Sequence, residues 1–334
     1  MTVPTVVVDR LPVSAADRAN LFERAVSSIG MAEHMRNVRS VFIKPNLTFP
    51  EYKEGVTTRA EFVEELITTL LKANKALKIF VGEGEGGYNS FSMSAAMQTM
   101  GFTSIAERHS NVEIVNLSHV PRRAIELATP KGPYAVELPE LFFKDIDVAI
   151  SCPVPKVHCM TVLTLSLKNL WGCLPDVMRL QNHYMFPLII GRIAETLKFR
   201  YAFLDGKYGL TRYGPMSGDA MEVNWFVAAN SLGAFDVVVA RMMGFDWRTV
   251  PHLRQAGRFG YVPDERAMRV LGTPEALAQS FRLRRGFWTY PALAAFRSKH
   301  LTHLFYLSRY AKAMHDVMYT FRKRDIPSVE TAEE

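Results

Sequence analysis

The sequence predicts an α/β fold: a mostly parallel sheet with helices on both faces, plus a helical basic C-terminal segment. Three observations predict it. Short β-branched runs alternate with segments of helical spacing between residues 5 and 152. Unusual polar tripeptides follow the ends of those runs, where parallel sheets gather their ligands. The net charge of +7 is not spread over the chain. Residues 1–280 carry 30 basic and 28 acidic side chains, residues 281–324 carry 10 and 1, and residues 325–334 carry 0 and 4.

Each element has its own local reason. Thr5–Val8 is a β-branched run, and 15–30 places Leu21, Phe22, Ala25, Val26 and Ile29 on one helical face. Val38–Ile43 reads as a strand ending at Lys44-Pro45-Asn46. Thr57-Thr58 is positioned to cap a helix over 60–74, with Phe62, Leu66 and Leu70 on one side. Leu77–Val81 is a strand that runs into the glycine cluster 82–87, and Ser92–Met100 is a helix. Val112–Leu117 and Val148–Cys152 are further strands. Such a rhythm builds βαβ units and a parallel sheet.

Composition narrows the class. A chain of 334 residues that is 48% hydrophobic buries a full core without staples. Three cysteines give no disulfide framework, so a reducing cytoplasm is expected. The first residues lack a basic and apolar leader, and no 18-residue apolar run is present. Three regions are expected: an α/β body over 1–280, in one lobe or two, a basic amphipathic extension over 281–324, and an acidic tail over 325–334. A near-neutral body argues against a diffuse nucleic-acid binder, and no recognition module is visible.

Four loops carry chemistry. Lys44, with Asn46 and Thr48 after it, stands at a strand end, where a lysine meets an anion or simply faces solvent. Glu83 and Glu85 lie among the glycines where a dinucleotide pyrophosphate would come, which argues against a Rossmann site. Glu83 is a candidate base, metal ligand or hydroxyl acceptor, or an exposed loop carboxylate. The run 151–159 holds Lys156 and His158, and 165–173 holds Lys168 and Asn169. Lys168 sits between Leu167 and Leu170, a costly place for an ammonium unless it is paired or deprotonated. His158 can serve as acid or base near neutral pH. Asp205 ends a strand ahead of a Gly/Pro loop, as a ligand or as a turn former. Asp236 opens an apolar helix as cap or site residue. The cysteine spacings match no iron–sulfur pattern, and a cluster is not expected.

Taken together, Lys44-Pro45-Asn46, Gly82-Glu83, Pro155-Lys156-Val157-His158, Leu167-Lys168-Asn169-Leu170 with Gly172, Asp205-Gly206 and Gly214-Pro215 with Gly218 resemble the domain of unknown function 362 family over about residues 38–246. The chain departs from that pattern at Pro155, where a basic or apolar residue is usual, and at Ser231, where an Asp-Pro motif usually begins. The second departure weakens a metal role for that loop. Members with a ferredoxin-type module carry four cysteines that this chain lacks. The pair His158 and Lys168 is also similar to a region of nickel-dependent lactate racemases, where a histidine precedes the lysine that holds the nickel-pincer nucleotide. That resemblance implies inversion, or proton or hydride transfer, at a hydroxyl-bearing carbon. Lys168 would hold a cofactor, His158 would act as acid or base, and Lys44 would bind an anionic group.

The extension adds a separate expectation. Leu304, Leu307, Ala311, Met314, Met318 and Phe321 recur at helical spacing among ten basic residues and ten aromatics. Such a stripe lies on an anionic leaflet, meets a partner or second copy, or packs on the body. The functional expectation is an isomerase- or epimerase-like enzyme on an anionic or hydroxylated small molecule. Its catalytic residues would be His158, Lys168 and Glu83, and its substrate- or phosphate-binding residues Lys44, Asn46, Lys156, Asn169 and Asp205. A divalent metal or the nickel-pincer nucleotide is the candidate cofactor. The alternative is a non-catalytic binding or accessory protein recruited through residues 281–324. The expected place is the cytoplasm, with the inner face of the membrane as its peripheral variant.

Overall fold

The computed structural model describes residues 3–86, 91–287, 289–314 and 316. The strands are β1 (Thr5–Arg10), β2 (Ser40–Pro45), β3 (Lys78–Glu83), β4 (Val112–Asn116), β5 (Arg122–Thr129), β6 (Gly132–Pro139), β7 (Val148–Cys152), β8 (Lys156–His158), β9 (Val162–Thr164), β10 (Phe199–Thr211), β11 (Asp219–Ala229) and β12 (Arg269–Leu271). The helices are α1 (Ala15–Ser28), α2 (Met31–Arg36), α3 (Ala60–Ala73), α4 (Met93–Thr99), α5 (Phe102–Arg108), α6 (Leu141–Lys144), α7 (Ser166–Asn169), α8 (Phe186–Thr196), α9 (Leu232–Met242), α10 (Pro251–Arg258), α11 (Pro274–Leu277), α12 (Thr289–Arg297) and α13 (Lys299–Thr302).

The main sheet runs β12-β1-β11-β10-β7-β2-β3-β4, with β8 and β9 joined to the far end of β10. Its pairs are parallel except where β11 meets β1 and β10, and in the β8–β9 hairpin. Period-2 alternation splits the core in two. Val41 and Ile43 of β2 face a cluster with α1, α3 and α4, whereas Phe42 faces the opposite cluster with α8, α9 and α10. Both faces are therefore covered, as the near-continuous apolar strands require.

From β2 the chain moves outward to β3 and β4, then returns to β7 on the other side of β2. The order reverses between β2 and β7, and such a switch point opens a crevice at the C-terminal strand ends. Lys44 pairs with Ser151 and Pro45 with Cys152 across that junction, and Glu83 ends the neighbouring β3.

Several local expectations are corrected. Helix α3 is not capped by Thr57 or Thr58; the cap residue is Arg59, with no side-chain cap bond. Thr58 instead accepts from Asn46 N at 2.9 Å and donates to Cys152 O at 2.7 Å, tying β2 to β7. Asp205 does not end its strand, because β10 continues to Thr211 against β11. Helix α9 begins at Leu232 under a Ser231 cap, so Asp236 lies inside it. The proposed C-terminal stripe is not one continuous helix: the backbone at Ser308 is extended, and its Oγ donates to Leu304 O at 2.6 Å, ending the turn. Leu304 and Leu307 are exposed while Ala311 is buried, so they do not share one buried face. Trp288, Met318, Phe321, the basic residues 322–324 and the acidic tail lie outside the described residues.

Candidate functional site

A cavity of about 210 Å³ lies over the switch point, lined among others by Asn46, Glu83, His158, Lys168, Asn169 and Arg179. Beneath it lies a buried ion pair, of which Glu83 lines the cavity and Lys44 does not. Lys44 Nζ contacts Glu83 Oε2 directly, and the side chains are 0% and 5% exposed. Glu83 is fully engaged, since its carboxylate also accepts from Leu47 N at 3.3 Å and Gly84 N at 3.0 Å. A buried pair of this kind holds only because these extra bonds offset desolvation. Gly172 makes the arrangement possible, because a Cβ there would lie 1.9 Å from Glu83 Oε1 and 2.8 Å from Lys44 Nζ.

The short helix α7 presents Lys168 to the cavity. Its first amides are capped from another element: Asp236 accepts from Ser166 N at 2.8 Å, Ser166 Oγ at 2.6 Å and Leu167 N at 3.1 Å. Burial pushes Asp236 up to about 7 against those bonds. Asn169 anchors the other end, donating to Lys44 O and Ser151 Oγ at 3.1 Å each. Lys168 is partly exposed, and its Nζ stands 5.5 Å from the centre of the Phe186 ring. Burial, then the repulsion of Arg179 and Lys44, brings its amine down to about 7.

His158, at the end of β8, accepts at Nδ1 from Met160 N at 3.1 Å, so the neutral ring carries its proton on Nε2. Burial and the neighbouring Lys168 hold it well below the usual histidine range. In that tautomer the ring is a hydrogen-bond donor.

Not every predicted residue faces the cavity. Lys156 is buried behind Asn46, donating to Asn46 Oδ1 and Thr48 Oγ1 at 2.9 Å and to Val56 O at 2.7 Å. Burial and Lys168 push it well below the usual lysine range. It supports Asn46 from below. Asp205 belongs to a separate ion pair with Arg59, which donates from N at 2.8 Å, from Nε at 3.0 Å and from Nη2 at 2.6 Å. That bond set fixes the start of α3, away from the cavity lining.

Three lining residues carry no sequence signal as site groups. Arg179 donates to the Gly84, Glu85 and Leu174 carbonyls. Trp171 and Thr164 line the same cavity. Gly84 is the one trace of this neighbourhood in the sequence, because a Cβ there would meet Gly172 O at 2.6 Å and Arg179 Nη1 at 3.5 Å. The glycine cluster therefore admits a protein carbonyl and a guanidinium.

Among the described residues, no three His, Cys, Asp or Glu side chains converge as a metal site. The chemistry present is an amine poised near neutrality, a guanidinium and a histidine N–H in a small cavity whose walls also include Leu47, Phe91, Met93 and Met216.

The chain has recognisable relatives. A thylakoid-associated protein of Synechocystis is 30% identical over 126 residues, 36% of this chain and 39% of that protein. The chain thus spans well under half of that relative's length. Among solved structures, the lactate racemase apoprotein of Thermoanaerobacterium thermosaccharolyticum is 12% identical with a TM-score of 0.43, covering 56% of this chain and 48% of that one. A protein of Thermotoga maritima is also 12% identical, with a TM-score of 0.33, covering 57% of this chain and 51% of that one. The family model for the domain of unknown function 362 matches residues 41–241, more than half of the chain and the very span that builds the cavity. The chain belongs to the domain of unknown function 362 family.

Proposed function

We propose that the protein is an enzyme with isomerase- or epimerase-like chemistry on a small anionic, hydroxylated molecule held in this cavity. One observation carries the reading: Lys168 lines the cavity with an amine brought to about 7. Such an amine exists in both protonation states at neutral pH, so it can take a proton from a substrate carbon and return one. His158 donates from Nε2 to the substrate oxygen beside that carbon. Glu83 is committed to Lys44 and positions the floor, while Asn46 and Asn169 offer polar contacts. A nickel-pincer nucleotide, when bound, would be held by Lys168 with Arg179 beside it, and would supply hydride chemistry at the hydroxyl-bearing carbon in place of proton transfer by that amine. The donor set fits the amine-linked and anionic parts of such a group.

The test is exchange in heavy water. The full chain is incubated with a panel of 2-hydroxycarboxylates, and both deuterium and configuration are followed at the hydroxyl-bearing carbon, since hydride transfer inverts it without exchange. Lys168→Met is expected to lower the rate of exchange or inversion about 100-fold or more. Exchange or inversion that survives this substitution undiminished contradicts the reading.

A second reading concerns the C-terminal segment. Phe287, Tyr290, Leu304, Leu307 and Tyr310 are exposed, near the basic Arg297, Lys299 and Lys312. A relative described as thylakoid-associated adds support for recruitment to an anionic membrane surface. No helix among the described residues is long and apolar enough to cross a membrane. Each basic residue near such a surface contributes about 1 kcal/mol. Flotation with anionic vesicles tests this: charge reversal at Arg297, Lys299 and Lys312 together is expected to abolish it. Equal flotation of both proteins rejects it.

A further inference from the structure

Three lysines converge on this end of the sheet, and the protein commits two of them. Lys44 Nζ contacts Glu83 Oε2 and donates to Pro45 O at 3.1 Å. Lys156 Nζ is held by three oxygens, those of Asn46, Thr48 and Val56. Both side chains are fully buried. Lys168 is different. It is partly exposed, it lines the cavity, and among the described residues its Nζ makes no hydrogen bond or ion pair.

The surroundings favour the uncharged form of that amine. Its Nζ stands 5.5 Å from the centre of the Phe186 ring, and the cavity walls include Leu47, Phe91, Met93, Trp171 and Met216. Glu83, the carboxylate on its side, already has Lys44 as partner. Burial, with repulsion from Arg179 and Lys44, outweighs the attraction of Glu83 and Cys159 and brings the amine to about 7. A desolvated lysine among apolar walls and other cations is a nucleophile towards carbonyl carbon. The cavity of about 210 Å³ equals the liquid volume of about seven waters, which admits a molecule of only a few carbons.

We propose that Lys168 is a Schiff-base lysine, whose Nζ condenses with a small aldehyde or ketone while the apolar chain of that molecule lies against Leu47, Phe91, Met93 and Met216. The Nζ lone pair adds to the carbonyl carbon, and the C=O π electrons pass to the oxygen. One N–H proton moves to that oxygen through solvent. The second leaves with the hydroxyl as water, and the nitrogen pair closes the C=N bond. Amine and carbonyl thus become imine and water, with nothing oxidised or reduced. His158 lines the same cavity, and its N–H is available to the carbonyl oxygen during addition. The proposal shares with the enzyme reading only the placement of Lys168 on the cavity. It needs neither a hydroxyl-bearing substrate nor proton removal from carbon.

Reductive trapping tests it. The full chain at pH 7 is mixed with butanal, and separately with 2-oxobutyrate. The imine is fixed with cyanoborohydride and located by peptide mass spectrometry. Lys168 is expected to be labelled about 100-fold faster than any surface lysine, because those remain almost wholly protonated at that pH. Labelling by butanal alone assigns the site to uncharged carbonyl compounds, and labelling by 2-oxobutyrate alone to 2-oxo acids. Met216→Trp, which narrows the cavity, is expected to slow labelling of Lys168 about tenfold or more and to leave surface lysines as they were. The proposal is overturned if neither compound labels Lys168, if Lys168 reacts no faster than surface lysines, or if Met216→Trp leaves its rate unchanged. Trapping at Lys168 without exchange or inversion of any 2-hydroxycarboxylate rejects the enzyme reading and keeps the imine site. Exchange or inversion without trapping does the reverse.

Discussion

At the residue scale the site is a problem in buried charge. Lys44 and Glu83 neutralise one another at 0% and 5% exposure, and neither can leave alone. Glu83→Ala should cost about 3–5 kcal/mol in chemical denaturation, because it strands the Lys44 ammonium. Lys168 behaves in the opposite way. Its amine loses a proton near 7 in the folded protein and near its ordinary 10.5 when unfolded. Between those values the unfolded chain binds more protons, so this group adds stability as pH rises. Lys168→Met is therefore expected to stabilise the protein at pH 6, with a gain that shrinks as pH climbs from 7 towards 10.5. A gain that grows with pH would show the wrong sign. Both lysines were legible in the sequence, as cations at a strand end and among leucines. Their different fates were not, because the partner of Lys44 lies 39 residues away on β3.

At the element scale, α7 is too short to hold itself. A four-residue helix has little internal hydrogen bonding, so its position is imposed from outside. Asp236 on α9 supplies the caps, and Asn169 supplies the anchor to β2 and β7. Asp236→Ala leaves the Ser166 and Leu167 amides without partners, at about 1–3 kcal/mol for each. Its readout is denaturation together with loss of the near-neutral Lys168 titration. The sequence marked Asp236 as cap or site residue, and it is a cap, though of a different helix. The βαβ elements were legible because each writes its own periodicity, as in β7 and α3. The β5–β6 hairpin, the long β10–β11 pair and the second short helix α2 were not singled out. The extension of β10 past Asp205 escaped notice because glycines there read locally as turns, whereas pairing with β11 keeps the strand extended.

At the scale of the molecule, the topology decides where chemistry can occur. The reversal of strand order between β7 and β2 brings together loops that are more than a hundred residues apart. Arg179 joins them from the segment after α7, with no local pattern to announce it. The C-terminal segment is docked at its start. Phe281 packs 5.7 Å from Trp225, and Phe296 packs 4.4 Å from His183, which stacks on Trp171. Phe296→Ala should cost about 3–5 kcal/mol and loosen the wall behind the cavity, as read by denaturation. The basic excess that the sequence located in this segment thus shares a backbone with part of the site's support.

The central claim is that Lys168 is a near-neutral amine facing the cavity. Reductive methylation with a 13C label, followed by NMR titration and assigned with Lys168→Met, measures it directly. The account predicts a resonance with a midpoint near 7 that vanishes in the variant. A Lys168 midpoint near the ordinary 10.5 would contradict it.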